Sequence, residues 1–269
     1  MFQRLREILG FSAPAAPPPA VPDGTRWYAI GDIHGRLDLF AAMIAAIEVE
    51  IAGAPGLDHR IVLLGDLVDR GPDSAAVIAR ARQWQEERNL RILAGNHEDM
   101  FLAAFERVEG MRHFLKHGGY ETLLSFGVTT EDLARLDIED IHKRACEVVP
   151  GEVRDYVAGF ETMIAAGDYV FVHTGIDPAR PLAEQERGDL LWIRKGFLDH
   201  KGPLEKVVVH GHTIFEHVMD CGSRIGIDTG AFRSGVLTAL VLEGEQRRIL
   251  QARAGEDGAV QIITGDRPD

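Results

Sequence analysis

IVLLGDLVDRG, residues Ile61–Gly71, decides the fold. Four apolar residues run without interruption and stop at a glycine. A strand buried on both faces reads this way, because neither face has to meet water. The same rhythm recurs four times. WYAI (Trp27–Ile30) ends in Gly31-Asp32-Ile33-His34-Gly35, and LRILA (Leu90–Ala94) ends in Gly95-Asn96-His97-Glu98. YVFV (Tyr169–Val172) ends in His173-Thr174-Gly175, and VVV (Val207–Val209) ends in His210-Gly211-His212-Thr213. Helices are predicted at Leu37–Ala52, Ser74–Arg88 and Asp99–Glu109. Strand alternating with helix at these lengths means βαβ units. Beyond them, Arg224–Asp228, Gly235–Leu242 and Arg247–Ala252 follow one another as strands. The middle, about 111–167, is mostly helical, lacks the rhythm, and reads as an insertion over one end of the sheet.

The chain has 269 residues, with 29 Lys+Arg against 42 Asp+Glu and a formal charge of −13. That balance argues against a surface that grips nucleic acid by its phosphates. Two cysteines, Cys146 and Cys221, cannot make a disulfide framework and suit a reducing, cytoplasmic setting. No apolar run is long enough for a transmembrane helix. Residues 1–24 stand apart from a catalytic domain expected over 25–269. Within them, Phe2, Leu5, Ile8 and Leu9 share one face of an amphipathic segment over 1–11, which would allow peripheral docking on a membrane or partner. Ser12–Asp23, SAPAAPPPAVPD, is a stiff Pro/Ala-rich linker. Arg4, Arg6 and Glu7 interrupt the apolar middle that a signal peptide would need.

Ligands of open α/β sheets bind beyond the carboxyl ends of the strands. Here five strand ends deliver Asp, His, Asn and Arg, with glycines allowing tight turns. One Asp or His in such a place serves equally as a turn or cap residue; five such ends together make a metal site. Oxygen and nitrogen donors without thiolate exclude a Cys₄ zinc site and suit manganese, iron or zinc better than calcium or magnesium. The donors outnumber one ion's needs. Two ions roughly 3.5–4 Å apart, bridged by a carboxylate, would use them all.

The series GDIHG, GDLVDRG, GNHE, HTG and GHT, in this order, resembles the calcineurin-like metallophosphoesterase superfamily. Within it, the chain resembles the bacterial and phage-type branch of the phosphoprotein phosphatases, over about residues 27–231. The resemblance implies a four-layer α/β/β/α sandwich: two mostly mixed sheets flanked by helices. It implies two divalent ions, Mn²⁺ first and Fe or Zn as alternatives. Asp32 and His34 would hold the first, Asp66 would bridge, and Asn96, His173 and His212 would hold the second. A bridging hydroxide would attack in line, Arg70 and Arg194 would grip the phosphoryl oxygens, and His97, oriented by Asp69, would protonate the leaving group.

On this reading the chain is a phosphomonoesterase acting on phosphoserine or phosphothreonine in proteins, with phosphotyrosine also within its reach. The alternatives are a symmetrical dinucleoside tetraphosphate hydrolase and a non-catalytic binding scaffold. The tetraphosphatase branch typically has Ala where Asp69 stands and Asp where Glu98 stands. Neither cysteine opens the CxxxxxR spacing of thiolate phosphatases. His210 reads as a core histidine behind the site and Asp228, in IDTGA, as a turn residue. FLKHGGYET (Phe114–Thr122) resembles a WLxNGGxxT-like segment near the site, with His117 where asparagine is usual.

Overall fold

The computed structural model describes residues 17–265, so the amphipathic segment over 1–11 lies outside the described residues. Two sheets form. The first has the order β11-β10-β9-β1-β2-β3, built from β1 (Thr25–Ile30), β2 (Asp58–Leu63), β3 (Leu90–Ile92), β9 (Val236–Glu243), β10 (Gln246–Ala254) and β11 (Val260–Gly265). The second has the order β4-β5-β6-β8-β7, built from β4 (Met163–Ala166), β5 (Tyr169–Val172), β6 (Val207–His210), β7 (Met219–Asp220) and β8 (Arg224–Gly226). β1, β2 and β3 run parallel, as do β5, β6 and β8; the remaining pairs are antiparallel.

The uninterrupted apolar runs now have their reason. Alternate residues of each run meet different neighbours. Trp27, Ala29, Val62 and Leu64 face the second sheet and pack on Tyr169, Phe171, Val207 and Val209, with Trp27 and Phe171 stacked at 5.6 Å. Tyr28, Ile30, Ile61 and Leu63 face outward onto α1 (Leu37–Gly53) and α2 (Ser74–Glu87), where Phe40 and Trp84 meet edge to face. On the far side, Val170, Val172 and Val208 are covered by Ile176, Leu190 and Phe197. The four layers are therefore helix, sheet, sheet and a thinner helical cover. No helix among the described residues is long and apolar enough to cross a membrane.

The structure refines the expected elements in four respects. The insertion is helical only to Ala158; Met163–Ala166 forms β4, whose alternating pattern over four residues is too short to stand out in the sequence. The third helix, α3 (Asn96–Glu106), begins three residues earlier than its periodicity suggests, because its first turn carries polar side chains with other duties. β7 and β11 are additional edge strands. Finally, the stiff Pro/Ala segment is docked at its end. Ala20 N donates to Asp168 Oδ2 at 3.0 Å, Val21 N donates to Gly244 O at 3.1 Å, and the Val21 side chain is buried in the core between the sheets.

Candidate metal centre

The strand ends converge as the sequence suggests, and the backbone bends sharply to achieve it. Five non-glycine residues among those described have positive φ: His34, Asp66, Asp69, Arg70 and His212. The left-handed region is unfavourable for residues with a Cβ, and such strain concentrates at functional sites. All five are candidate site residues.

Glu98 holds the bend at Asp66 in place. It sits buried in the first turn of α3, and its carboxylate accepts from the backbone N–H groups of Gly95, Asp66 and Leu67 at 2.8 Å and of Val68 at 3.3 Å. Burial and the Asp66 charge push its carboxyl up to about 7, against the pull of those donors. In the sequence, Glu98 stands out only as a mark that separates branches. A glutamate three residues after the N-cap glycine is a helix-start signal that could have marked it.

Asp66 lies at the centre. Its Oδ2 is 3.5 Å from His34 Nε2 and 3.9 Å from His97 Nε2, while its Oδ1 is 3.3 Å from His173 Nε2. Two groups of three donors, His34–Asp66–His97 and Asp66–His173–His212, each converge within 4.8 Å and share this carboxylate. Asn96 Oδ1 joins the second, 3.0 Å from His173 Nε2 and 2.8 Å from His212 Nδ1. Asp32 belongs to neither group of three. Its two oxygens accept from His212 N at 3.1 Å, and His97, expected as a proton donor, stands in the first group.

The donor chemistry calls for cations. His34 Nδ1 is bonded to Val68 O at 2.7 Å and His173 Nδ1 to Leu64 O at 2.8 Å, so each ring turns its Nε2 toward the centre, the orientation typical of metal-binding histidines. At the second group, Asp66 Oδ1 and Asn96 Oδ1 then face the imidazole nitrogens of His173 and His212, a mixed oxygen and nitrogen set that suits a divalent cation. Burial opposes a charge on His173, yet Asp66 pushes its pKa up to about 10. At the first group a cation is already in contact. The Arg70 guanidinium reaches His34 Nε2 at 2.8 Å and His97 Nε2 at 2.7 Å, with Phe232 beneath it at 4.8 Å. Burial, then the Asp228 and Asp66 charges, hold the Asp32 carboxyl well above its usual range.

His97 Nδ1 is 2.6 Å from Asp69 Oδ2. Burial disfavours the imidazolium, but the charges of Asp66 and Asp69 win and raise its pKa. Arg194 is exposed, and its charge is felt at His212, whose pKa burial, His173 and Arg194 bring down to about 3. His210 is a buried core histidine, packed edge to face on Phe197 at 5.2 Å. Asp228 takes its turn role, with Oδ1 accepting from Gly230 N at 2.8 Å, while its buried Oδ2 has no partner. His117 is exposed and bonds to the His113 carbonyl.

Known proteins resemble this chain in sequence and in fold. Residues 25–230 match the calcineurin-like phosphoesterase family. Serine/threonine-protein phosphatase 1 of Salmonella typhimurium is 29% identical over 217 residues, covering 78% of this chain and 89% of that protein. The asymmetrical bis(5'-nucleosyl)-tetraphosphatase PrpE of Oceanobacillus iheyensis is 32% identical over 233 residues, covering 78% and 86%. In fold, a cold-active protein-tyrosine phosphatase of a psychrophilic Shewanella superposes with a TM-score of 0.55 at 18% identity, over 92% of this chain and 82% of that one. A family match over most of the chain, two stacked sheets and two donor groups sharing one carboxylate lead to one conclusion: this chain belongs to the calcineurin-like phosphoesterase family and is a metallophosphoesterase hydrolase.

Proposed function

We infer that the chain hydrolyses phosphomonoesters of protein serine and threonine. The observation that carries this is the 2.6 Å contact between Asp69 and buried His97 beside the shared carboxylate. A serine or threonine alkoxide is a poor leaving group and needs a proton as it departs, whereas a nucleotide leaves a phosphoanhydride as a stable anion and needs none. A raised imidazole pKa beside the donor groups suits the first task. The Salmonella phosphatase supports the same reading by its name.

His34, Asp66 and Asp32 would hold one cation, and Asp66, Asn96, His173 and His212 the other, with Mn²⁺ the first candidate for both. When bound, the two ions supply neutralisation of phosphoryl charge and activation of water. The remaining work falls to side chains. Arg70 and Arg194 would engage the phosphoryl oxygens, Arg70 by its planar pair of donors. Phe232 supports the Arg70 guanidinium from below. His97 would deliver its proton from Nε2 while Asp69 retains Nδ1–H.

The second reading, dinucleoside tetraphosphate hydrolysis, rests on the 32% identity to PrpE. A panel of phosphoserine, phosphothreonine and phosphotyrosine peptides, run with Mn²⁺ beside diadenosine tetraphosphate, separates the two. Turnover of peptides is expected. An enzyme that cleaves the dinucleotide and leaves every peptide intact would reverse the assignment.

A further inference from the structure

The Asp69–His97 pair is held by a residue from the helical insertion. Thr122, in the short helix Tyr120–Ser125, donates its hydroxyl to Asp69 Oδ1 at 2.6 Å and accepts from Asp69 N at 2.9 Å. Ser74, the first residue of α2, accepts from the same N–H at 3.0 Å and lies 3.0 Å from the Thr122 hydroxyl. All three residues have no exposed surface. A carboxylate offers two oxygens. Thr122 occupies one and His97 the other, so the plane of the Asp69 carboxylate is fixed from both ends.

A second contact ties the same parts together. Arg70 N donates to Gly118 O at 3.0 Å, and a Cβ on Gly118 would meet Arg70 Cγ at 3.0 Å and Asp69 Cβ at 3.5 Å. Asp69 and Arg70 both have left-handed backbones, with φ of 72° and 70°. Two adjacent strained residues keep such a conformation only when neighbours impose it. The insertion imposes it here, with one hydroxyl and one carbonyl.

We propose that Thr122 is a positioning residue that holds Asp69 as the fixed acceptor for His97, so that the insertion governs protonation of the leaving group. This rests on the phosphomonoesterase reading. A plug that only filled space would not need a hydroxyl aimed at the one carboxylate oxygen left free by His97.

The test compares two esters on the full chain with Mn²⁺: phenyl phosphate, which leaves poorly, and 4-nitrophenyl phosphate, which leaves well. Thr122→Val should lower kcat on phenyl phosphate by about tenfold or more, lower it on 4-nitrophenyl phosphate by no more than about threefold, and leave KM within about twofold. Thr122→Ser should restore the wild-type ratio. Equal loss on both esters, no loss on either, or failure of serine to restore the ratio would overturn the proposal. Ser74→Ala keeps the Thr122–Asp69 bond, and a smaller change with the same ester dependence is expected if Thr122→Val does not fold; an ester-independent change counts against it. One readout needs no turnover. The low-field proton resonance of His97 Nδ1–H should persist in Thr122→Ser and shift upfield or vanish in Thr122→Val. A wild-type chain inert on every ester refutes the phosphomonoesterase reading, while an unmoved resonance in Thr122→Val refutes the positioning role.

Discussion

Gly95→Ala presses on the shared carboxylate and on the backbone that carries it. Gly95 has φ −94° and ψ 175°, extended backbone that alanine adopts freely, so the substitution strains no torsion. Its Cβ, however, would stand 2.0 Å from Asp66 Oδ1 and 2.5 Å from Asp66 N. Relief to ordinary contact requires Asp66 Oδ1 to retreat by about 1.4 Å. Overpacking of this kind costs about 1–3 kcal/mol, less than a typical stability of about 5–15 kcal/mol, so the chain should still fold. Function has no such margin. A displacement of about 1 Å at a reacting centre costs about 10²-fold in rate. Because both donor groups use Asp66, both should bind Mn²⁺ more weakly, and turnover should fall by about 10²-fold. Gly188→Ala is the control. It lies in the helix Arg187–Trp192 with nothing within 4 Å of the added carbon, and should stabilise by about 0.5–1 kcal/mol without touching metal binding. Calorimetric titration with Mn²⁺ and a phosphatase assay on both variants decide the matter. A Gly95→Ala chain that binds two Mn²⁺ with wild-type affinity, at a wild-type rate, would refute the assignment of Asp66 as the common ligand.

Two further substitutions probe the same centre. Asp69→Asn removes a charge that raises the His97 pKa; since the acid must be protonated to act, the alkaline limb of kcat should move to lower pH. Loss of a hydrogen bond to a charged group, worth about 1.5–3 kcal/mol, corresponds to a displacement of about 1–2 pH units, read from the pH profile on phenyl phosphate; an unmoved limb contradicts the pairing. Asp66→Asn should weaken both metal sites together and lower turnover by at least about 10²-fold, whereas a binding scaffold would keep its function unchanged, which metal titration and turnover distinguish.

Much of this was written in the sequence because the strands are buried on both faces. Tyr28 and Ile30 meet helices while Trp27 and Ala29 meet the second sheet, so burial erased the alternation and left continuous runs that ended visibly at glycine. The residues after those runs carried the site. What stayed hidden was held by contacts distant in sequence. Glu98 serves N–H groups 30 to 32 residues away, and Thr122 reaches Asp69 across 53. The helix-start signal at Glu98 and the motif ending in Thr122 mark these residues, but neither names its distant partner. β4 and β7 were missed for a different reason: at four and two residues they derive their order from β5 and β8 alongside, with little pattern of their own.

The buried charge completes the case for cations and sets a last expectation. Every buried carboxyl among the described residues, Asp32, Asp66, Asp69, Glu98 and Asp228, belongs to this one centre. Each buried ion costs several kcal/mol unless compensated. Protons are one compensation: burial pushes Asp228 up to about 6 and Asp32 well above its ordinary range. Divalent ions are the other, and the two compete. A ligand that binds only the folded chain adds about 2.7 kcal/mol at a hundred times its Kd, and about 2–4 °C of Tm follows from each kcal/mol in a domain of this size. Saturating Mn²⁺ at pH 8 should therefore raise Tm by roughly 5–10 °C, reversibly with chelator. The gain should shrink as pH falls through about 6, where the carboxyls with raised pKa take protons and no longer need metal. Asp66→Asn should lose most of it at either pH. Scanning calorimetry across that range gives the answer, and a Tm indifferent to both Mn²⁺ and chelator at pH 8 would mean that something other than metal neutralises these five carboxyls.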